Sequence, residues 1–190
     1  MKTTILTCLL SLLGLNNMTN CNAQNDPFGK NTSNKEYALP PSELPDFETY
    51  RTNPRNIKVS SLLSKELSFV LETETKEQIT LIDARSEEEY NISHIQNSRR
   101  VGYEDFSNER IWMVSRKARV IVYSANNTRS TIVAQYFKLM GFTDVQILED
   151  GLIGWKNEKN DIYDANGKTN KIHIGTKANL RFVKNGLAVY

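Results

Sequence analysis

Cysteine is nearly absent. The chain holds two, Cys8 and Cys21, in 190 residues, and both lie within the first 23. Once that stretch is set aside no thiol is left, so no disulfide framework, zinc site or thiol catalyst can be built beyond it. Histidine is almost as scarce, with His94 and His173 alone. An excess of one charge is missing too: 24 basic against 22 acidic residues give a net +2, and no long basic run occurs. That balance argues against a nucleic-acid surface. No internal repeat is evident. The longest apolar run, Ile5 to Leu15, is too short to cross a bilayer with ease.

That run has the length of an export signal. Lys2 supplies a short positive start, and N-N-M-T-N-C-N-A comes next as a polar cleavage region. Residues 1–23 are therefore expected to direct the protein to a periplasmic or secreted location. Two processing routes stay open. Cleavage after Ala23 would leave Gln24 first. Lipidation of Cys21, with Met18 to Cys21 as a poor lipobox, would instead provide a membrane anchor. Residues 24–54 carry Pro40, Pro41, Pro45 and Pro54 and few apolar residues, which reads as a linker-like arm. Tyr37, Leu39, Leu44 and Phe47 could still dock this arm on the surface of the domain.

From residue 55 the pattern alternates between strands and helices. Ile57 to Val59 reads as a strand. A helix comes after it, with Ser60 or Ser61 as N-cap and Leu62, Leu63, Leu67, Val70 and Leu71 inward. Ile79 to Asp83 is the next strand. Ser86 caps an acidic first turn at 86–90, which suits the helix dipole. Arg99 to Gly102 is a short strand. Tyr103 to Ser115 reads as a helix or helical turn carrying Phe106, Ile111, Trp112 and Val114. Val120 to Tyr123 is a β-branched buried strand, and Val145 to Leu148 the last one. From Arg129 the apolar residues Ile132, Val133, Tyr136, Phe137, Leu139 and Met140 lie at helical spacing, and Gly141 ends the helix. Such alternation implies the α/β class, a parallel sheet with helices on both faces. D-A-N-G at 164–167 marks a turn inside a basic tail, 161–190.

The segment Ser124 to Arg129 joins a strand end to a helix start. Its N–H groups, the helix dipole and Arg129 could together hold an anion. Three further pieces flank it: Asp83 and Arg85 in L-I-D-A-R, Glu89 and Tyr90 leading to His94-Ile95, and Gly151 with Trp155 in G-L-I-G-W. In order and spacing these resemble the rhodanese-like family over roughly residues 55–160. The four residues between Ser124 and Arg129 match its sulfurtransferase branch, whereas the related phosphatases have one more.

The resemblance implies a three-layer α/β fold, here with a C-terminal extension at 161–190 packed on it. It makes Ser124, Ala125, Asn126, Asn127, Thr128 and Arg129 the anion-binding loop, with Asp83 and Arg85 supporting. It places His94 in the scaffold. Asn126 and Asn127 stand where the family loop often has Gly, and Asn tolerates the left-handed conformation such a turn needs.

The departure is at Ser124. Family sulfurtransferases carry Cys there, a thiolate that becomes a persulfide and passes sulfur on. A serine hydroxyl stays protonated at neutral pH and cannot hold a transferable sulfur, and as a nucleophile it needs an adjacent base. No catalytic residue, cofactor or metal is therefore expected. The leading expectation is an exported rhodanese-like module, inactive in sulfur transfer, that binds a small anion or sulfur compound or a protein partner. One alternative is an enzyme using non-Cys chemistry or a partner's thiol. Another is an envelope-associated domain with its loop collapsed or plugged by the tail.

Overall fold

The computed structural model describes residues 42–73 and 79–190. The expected export signal, Cys21, and Tyr37 and Leu39 of the arm lie outside the described residues.

The chain runs through α1 (Phe47–Thr52), β1 (Ser60–Leu62), α2 (Ser64–Thr73), β2 (Ile79–Asp83), α3 (Glu87–Ile92), β3 (Arg99–Arg100) and a 3-10 turn at Asn108–Ile111. It continues through β4 (Arg119–Tyr123), α4 (Asn127–Leu139), β5 (Asp144–Leu148) and α5 (Gly151–Asn157). The extension adds β6 (Ile162–Asp164), β7 (Gly167–Thr169), β8 (Lys171–His173), a 3-10 turn at Lys177–Phe182 and β9 (Leu187–Val189). Strands one to five form one sheet in the order β1-β5-β4-β2-β3, every pair parallel. The expected α/β architecture is present.

The side-chain alternation of each strand divides the interior into two cores. Val120 and Val122 of β4 face one with Ile82, and Ile121 and Tyr123 face the other with Ile79 and Leu81. The first core is closed by α4 through Val133, Ala134, Tyr136 and Phe137. The second is closed by Leu67 and Val70 of α2, Leu152, Ile153 and Trp155 of α5, and Ile162, Ile172 and Ile174 of the extension. The extension is thus built into a core. Its D-A-N-G turn joins β6 to β7 as an antiparallel hairpin.

Two expectations are corrected. β1 lies at 60–62, not 57–59, and Ser60 and Ser61 are strand residues paired with Gln146 and Ile147 rather than helix caps. Leu62 is therefore a buried strand residue, and Leu63 is half exposed. In 103–115 only the 3-10 turn is regular, and Trp112 is 77% exposed. Ion pairs organise this connection instead: Asp105 accepts from Arg100 and Arg110 at 2.9–3.0 Å. The end of the arm docks as the sequence allows, with Phe47 in the first core and Leu44 packed against it. Asp46 caps α1, Phe47 stacks on Phe106 at 4.2 Å between ring centres, and Tyr136 donates to the Pro45 carbonyl at 2.8 Å.

Because Phe47 is buried in the first core, truncating it leaves a cavity. Phe47→Ala is expected to lower the unfolding free energy by about 3 kcal/mol, read from the urea midpoint at unchanged slope. A change within about 0.5 kcal/mol would mean the arm helix is a loose appendage.

Candidate functional site

β4 is the central strand and delivers Ser124 to the C-terminal edge of the sheet. There the chain turns through Ala125 and Asn126 into α4. Asn126 is not left-handed, at φ −133°; it is the N-cap, and its side chain accepts from the Thr128 N–H at 3.2 Å. Among the described residues the left-handed non-glycine positions are Asn97, Asp150 and Lys159. The expectation that the loop asparagines supply that conformation is corrected: an Asn side chain offers a cap as readily as a turn, and here it caps.

The loop is pinned from behind by α5. The Leu152 N–H donates to the Ser124 carbonyl at 2.8 Å, and the Ile153 N–H to that of Ala125 at 3.4 Å. The approach is close enough to demand Gly151: a Cβ there would stand 2.3 Å from the Ser124 oxygen, and its φ is +57°. This is the physical content of the Gly-x-x-x-Trp element. Trp155 holds the other end, its indole N–H donating to the Asp161 carbonyl at 2.9 Å.

Ser124 is fully buried. Its hydroxyl donates to the Asn126 carbonyl, and its oxygen lies 3.3 Å from Ser130 Oγ and accepts the Ser130 N–H at 3.3 Å. None of these partners is a titratable base. His94 is spent elsewhere, as expected of a scaffold residue: its ring stacks on Tyr90 at 4.0 Å and Nδ1 lies 2.9 Å from the Tyr90 carbonyl.

Arg129 does not stand free over the loop. Its guanidinium makes a two-pronged pair with Glu89, Nη1 to Oε2 at 2.6 Å and Nη2 to Oε1 at 2.7 Å. Glu89 sits in α3, where its other duty is a capping box with Ser86. Burial pushes the Glu89 carboxyl up, but the hydrogen bonds and charge of Arg129 outweigh it and hold the group down to about 2.

Asp83 and Arg85 form a second pair, both fully buried. Asp83 accepts the Arg85 backbone N–H at 2.9 Å and its Nη2 at 2.6 Å, and Arg85 Nη2 also donates to the Ser93 carbonyl at 2.6 Å. Burial disfavours the Arg85 cation, yet the Asp83 charge and hydrogen bonds raise its pKa further. The pair therefore ties the end of β2 to the end of α3, and so fixes where Glu89 stands.

Beside the loop lies a cleft of about 330 Å³, lined by Glu89, Glu104, Asn126, Thr128 and Arg129 from the sheet edge and by Gly175, Thr176 and Asn179 from the extension. Of residues 124–129, Ala125, Asn126, Thr128 and Arg129 line the cleft, whereas Ser124 is buried away from it, and Asp83 and Arg85 are buried against each other. Sequence reasoning reads Glu89 as part of a cap and does not see it as the partner of Arg129. It raises the tail at the loop only as an alternative, a plug, without naming Gly175, Thr176 or Asn179. Single-sequence patterns carry no signal for a pair of charges forty positions apart.

The model of the rhodanese-like domain family matches residues 69–158 of this chain. The tRNA uridine(34) hydroxylase of Shouchella clausii (strain KSM-K16) is 25% identical over 131 residues, covering 64% of this chain and 41% of that protein. This chain therefore spans less than half of that relative's length. A crystal structure of a Bacillus halodurans protein superposes with a TM-score of 0.52 at 22% identity, over 63% of this chain and 87% of that one. The solution structure of a rhodanese-like domain from Anabaena sp. gives 0.51 at 20%, over 70% and 90%. The chain carries a rhodanese-like domain.

Two variants test the electrostatics. Asp83→Ala strands the Arg85 cation in the interior and should cost about 3–5 kcal/mol in chemical denaturation. Glu89 is a carboxylate held below its ordinary value, so its stabilisation is present above about pH 4.5 and is lost as pH falls toward 2. Glu89→Gln should flatten the acid limb of the stability profile in that window. An unchanged limb would mean the Arg129 pair contributes nothing in solution.

Proposed function

We propose that this protein is an exported rhodanese-like domain that does not transfer sulfur and serves as a binding or regulatory module. The observation that carries the reading is Ser124, a buried hydroxyl hydrogen-bonded within its own loop to groups that cannot activate it. No cysteine occurs among the described residues to replace it. The export part rests on the apolar run and polar cleavage region of residues 1–23, and an anchor on Cys21.

The cleft between the loop and the extension is the place for a ligand. A small oxyanion such as sulfate, or a sulfur compound of that shape, suits a site with a helix start and one arginine. It would reach Arg129 only in competition with Glu89, which keeps the site closed at rest. The near balance of charge supports a small molecule or a protein as partner rather than a nucleic acid.

Thiosulfate-to-cyanide sulfur transfer by the full chain, with Ser124→Cys beside it, tests the reading. The natural protein should match the buffer blank, because it has no group to hold the sulfur. Turnover by the Cys variant alone would attribute the loss to that one atom. Turnover by the natural protein overturns the reading.

A further inference from the structure

The extension meets the loop at two points and Glu89, the partner of Arg129, at a third. Gly175, at φ +76°, passes so near that a Cβ on it would lie 3.5 Å from Glu89 Oε1, 3.6 Å from the Ala125 Cβ and 3.7 Å from Arg129 Nη2. Asn179, itself buried, is held by its Nδ2 donating to the Ile174 carbonyl at 2.7 Å, and its Oδ1 accepts from Asn126 Nδ2 at 3.4 Å. His173 is the third. Its Nδ1 accepts the Gly175 N–H at 3.1 Å, so that nitrogen bears no proton in this arrangement. The same Nδ1 lies 3.6 Å from Glu89 Oε1, the oxygen that accepts from Arg129 Nη2.

We propose that residues 173–179 form a strap over the 124–129 loop and that His173 is its proton-operated latch, closed when the imidazole is neutral and released when it is protonated. The inference rests on reading the cleft as the binding site, since it names what governs access to it.

The chemistry at Nδ1 makes the two states exclusive. A proton there removes the acceptor of the Gly175 N–H and sets two donors against each other. It also turns the imidazole into a donor toward Glu89 Oε1, in competition with Arg129. The first change costs the strap its turn, and the second takes part of Glu89 from Arg129; the attraction of the imidazolium to Glu89 opposes release but is outweighed by the burial that disfavours the charge. The groups facing the imidazole are Glu89 and Glu88 of α3, which favour the proton, and Arg85 and Arg129, which oppose it, while Glu104 lines the same cleft. Burial is the largest influence and also opposes it, so His173 lies below its ordinary value. An imidazole freed with the strap would titrate near about 6.5. The closed form binds the proton less readily than the open one, so falling pH draws the equilibrium toward opening, and rising pH restores closure.

Hydrogen exchange on the full chain, corrected for intrinsic rates, tests the latch. Protection of the amides of 174–179 and 125–130 should fall about tenfold between about pH 7.5 and about pH 5. His173→Asn keeps an acceptor near the Nδ1 position without titrating, and its protection should stay flat. Asn179→Ala removes the other tie but keeps His173, so its baseline should be more open with the pH response retained. The same pH response in natural protein and His173→Asn overturns the latch. Sulfate titrations followed by NMR of the loop amides and the Arg129 side chain separate the two ideas. Tighter binding at the lower pH supports both. Opening without sulfate binding keeps the latch and overturns the binding-site reading. Equal binding at both pH values with unchanged protection overturns the latch and leaves that reading standing.

Discussion

Two opposite charges, Asp83 and Arg85, are buried with no exposure at the end of β2, and the functional edge of the sheet is assembled around them. Removing such a pair from water is costly, and most of its groups find partners here, Arg85 Nη1 being the exception. Asp83 takes both the Arg85 backbone and its guanidinium, and the guanidinium reaches on to the last turn of α3. Next to it stands Tyr123, whose hydroxyl accepts the Ile95 N–H at 3.1 Å and meets Ser98 Oγ at 2.7 Å. A short polar network thereby sets the distance between α3 and the start of α4. Only at that distance can Glu89 span to Arg129 with two hydrogen bonds at once.

Ser124 shapes the loop through the hydrogen bonds of its hydroxyl. A hydroxyl is a stronger hydrogen-bond donor than a thiol and seeks a carbonyl, and in this loop it finds that of Asn126. The Asn126 carbonyl is thereby turned inward to the buried Ser124 hydroxyl. Ser130 adds a second hydroxyl to the same cluster. Arg129 and the extension then close the outside. Near residue 124 the loop is organised around neutral hydroxyl donors.

Much of this is legible in the residues, and the parts that are not share a cause. Ile79–Asp83 and Arg119–Tyr123 are central strands whose β-branched runs face two cores, so their periodicity is unambiguous. The Ser86 cap with its acidic turn, and Gly141 at φ 85°, are set by local chemistry. The position of β1 is not legible, because S-S-L-L-S suits a helix cap as well as a strand edge, and the deciding partner is Gln146–Leu148, far along the chain. The rhodanese-like pattern locates the loop through Asp83, Arg85, Gly151 and Trp155. It does not show that Glu89 takes Arg129, or that Gly175 and Asn179 arrive over the loop. Those are tertiary pairings, and a single sequence carries no periodic or capping signal for them.

The strand order has a consequence for how the chain comes into being. β1 pairs with β5 alone, Ser60 against Gln146 and Leu62 against Leu148. The first strand made is thus seated last, after the whole of the intervening sheet. Closing so long a segment carries a large entropic toll before any pairing rewards it. During synthesis β2 can pair with β3 and β4 as these emerge, but β1 has no sheet neighbour until the residues near 148 have been made, and the extension that completes the second core comes later still. Through that interval the free edge of β4 has no strand beside it, and β5 must arrive before β1 can be seated.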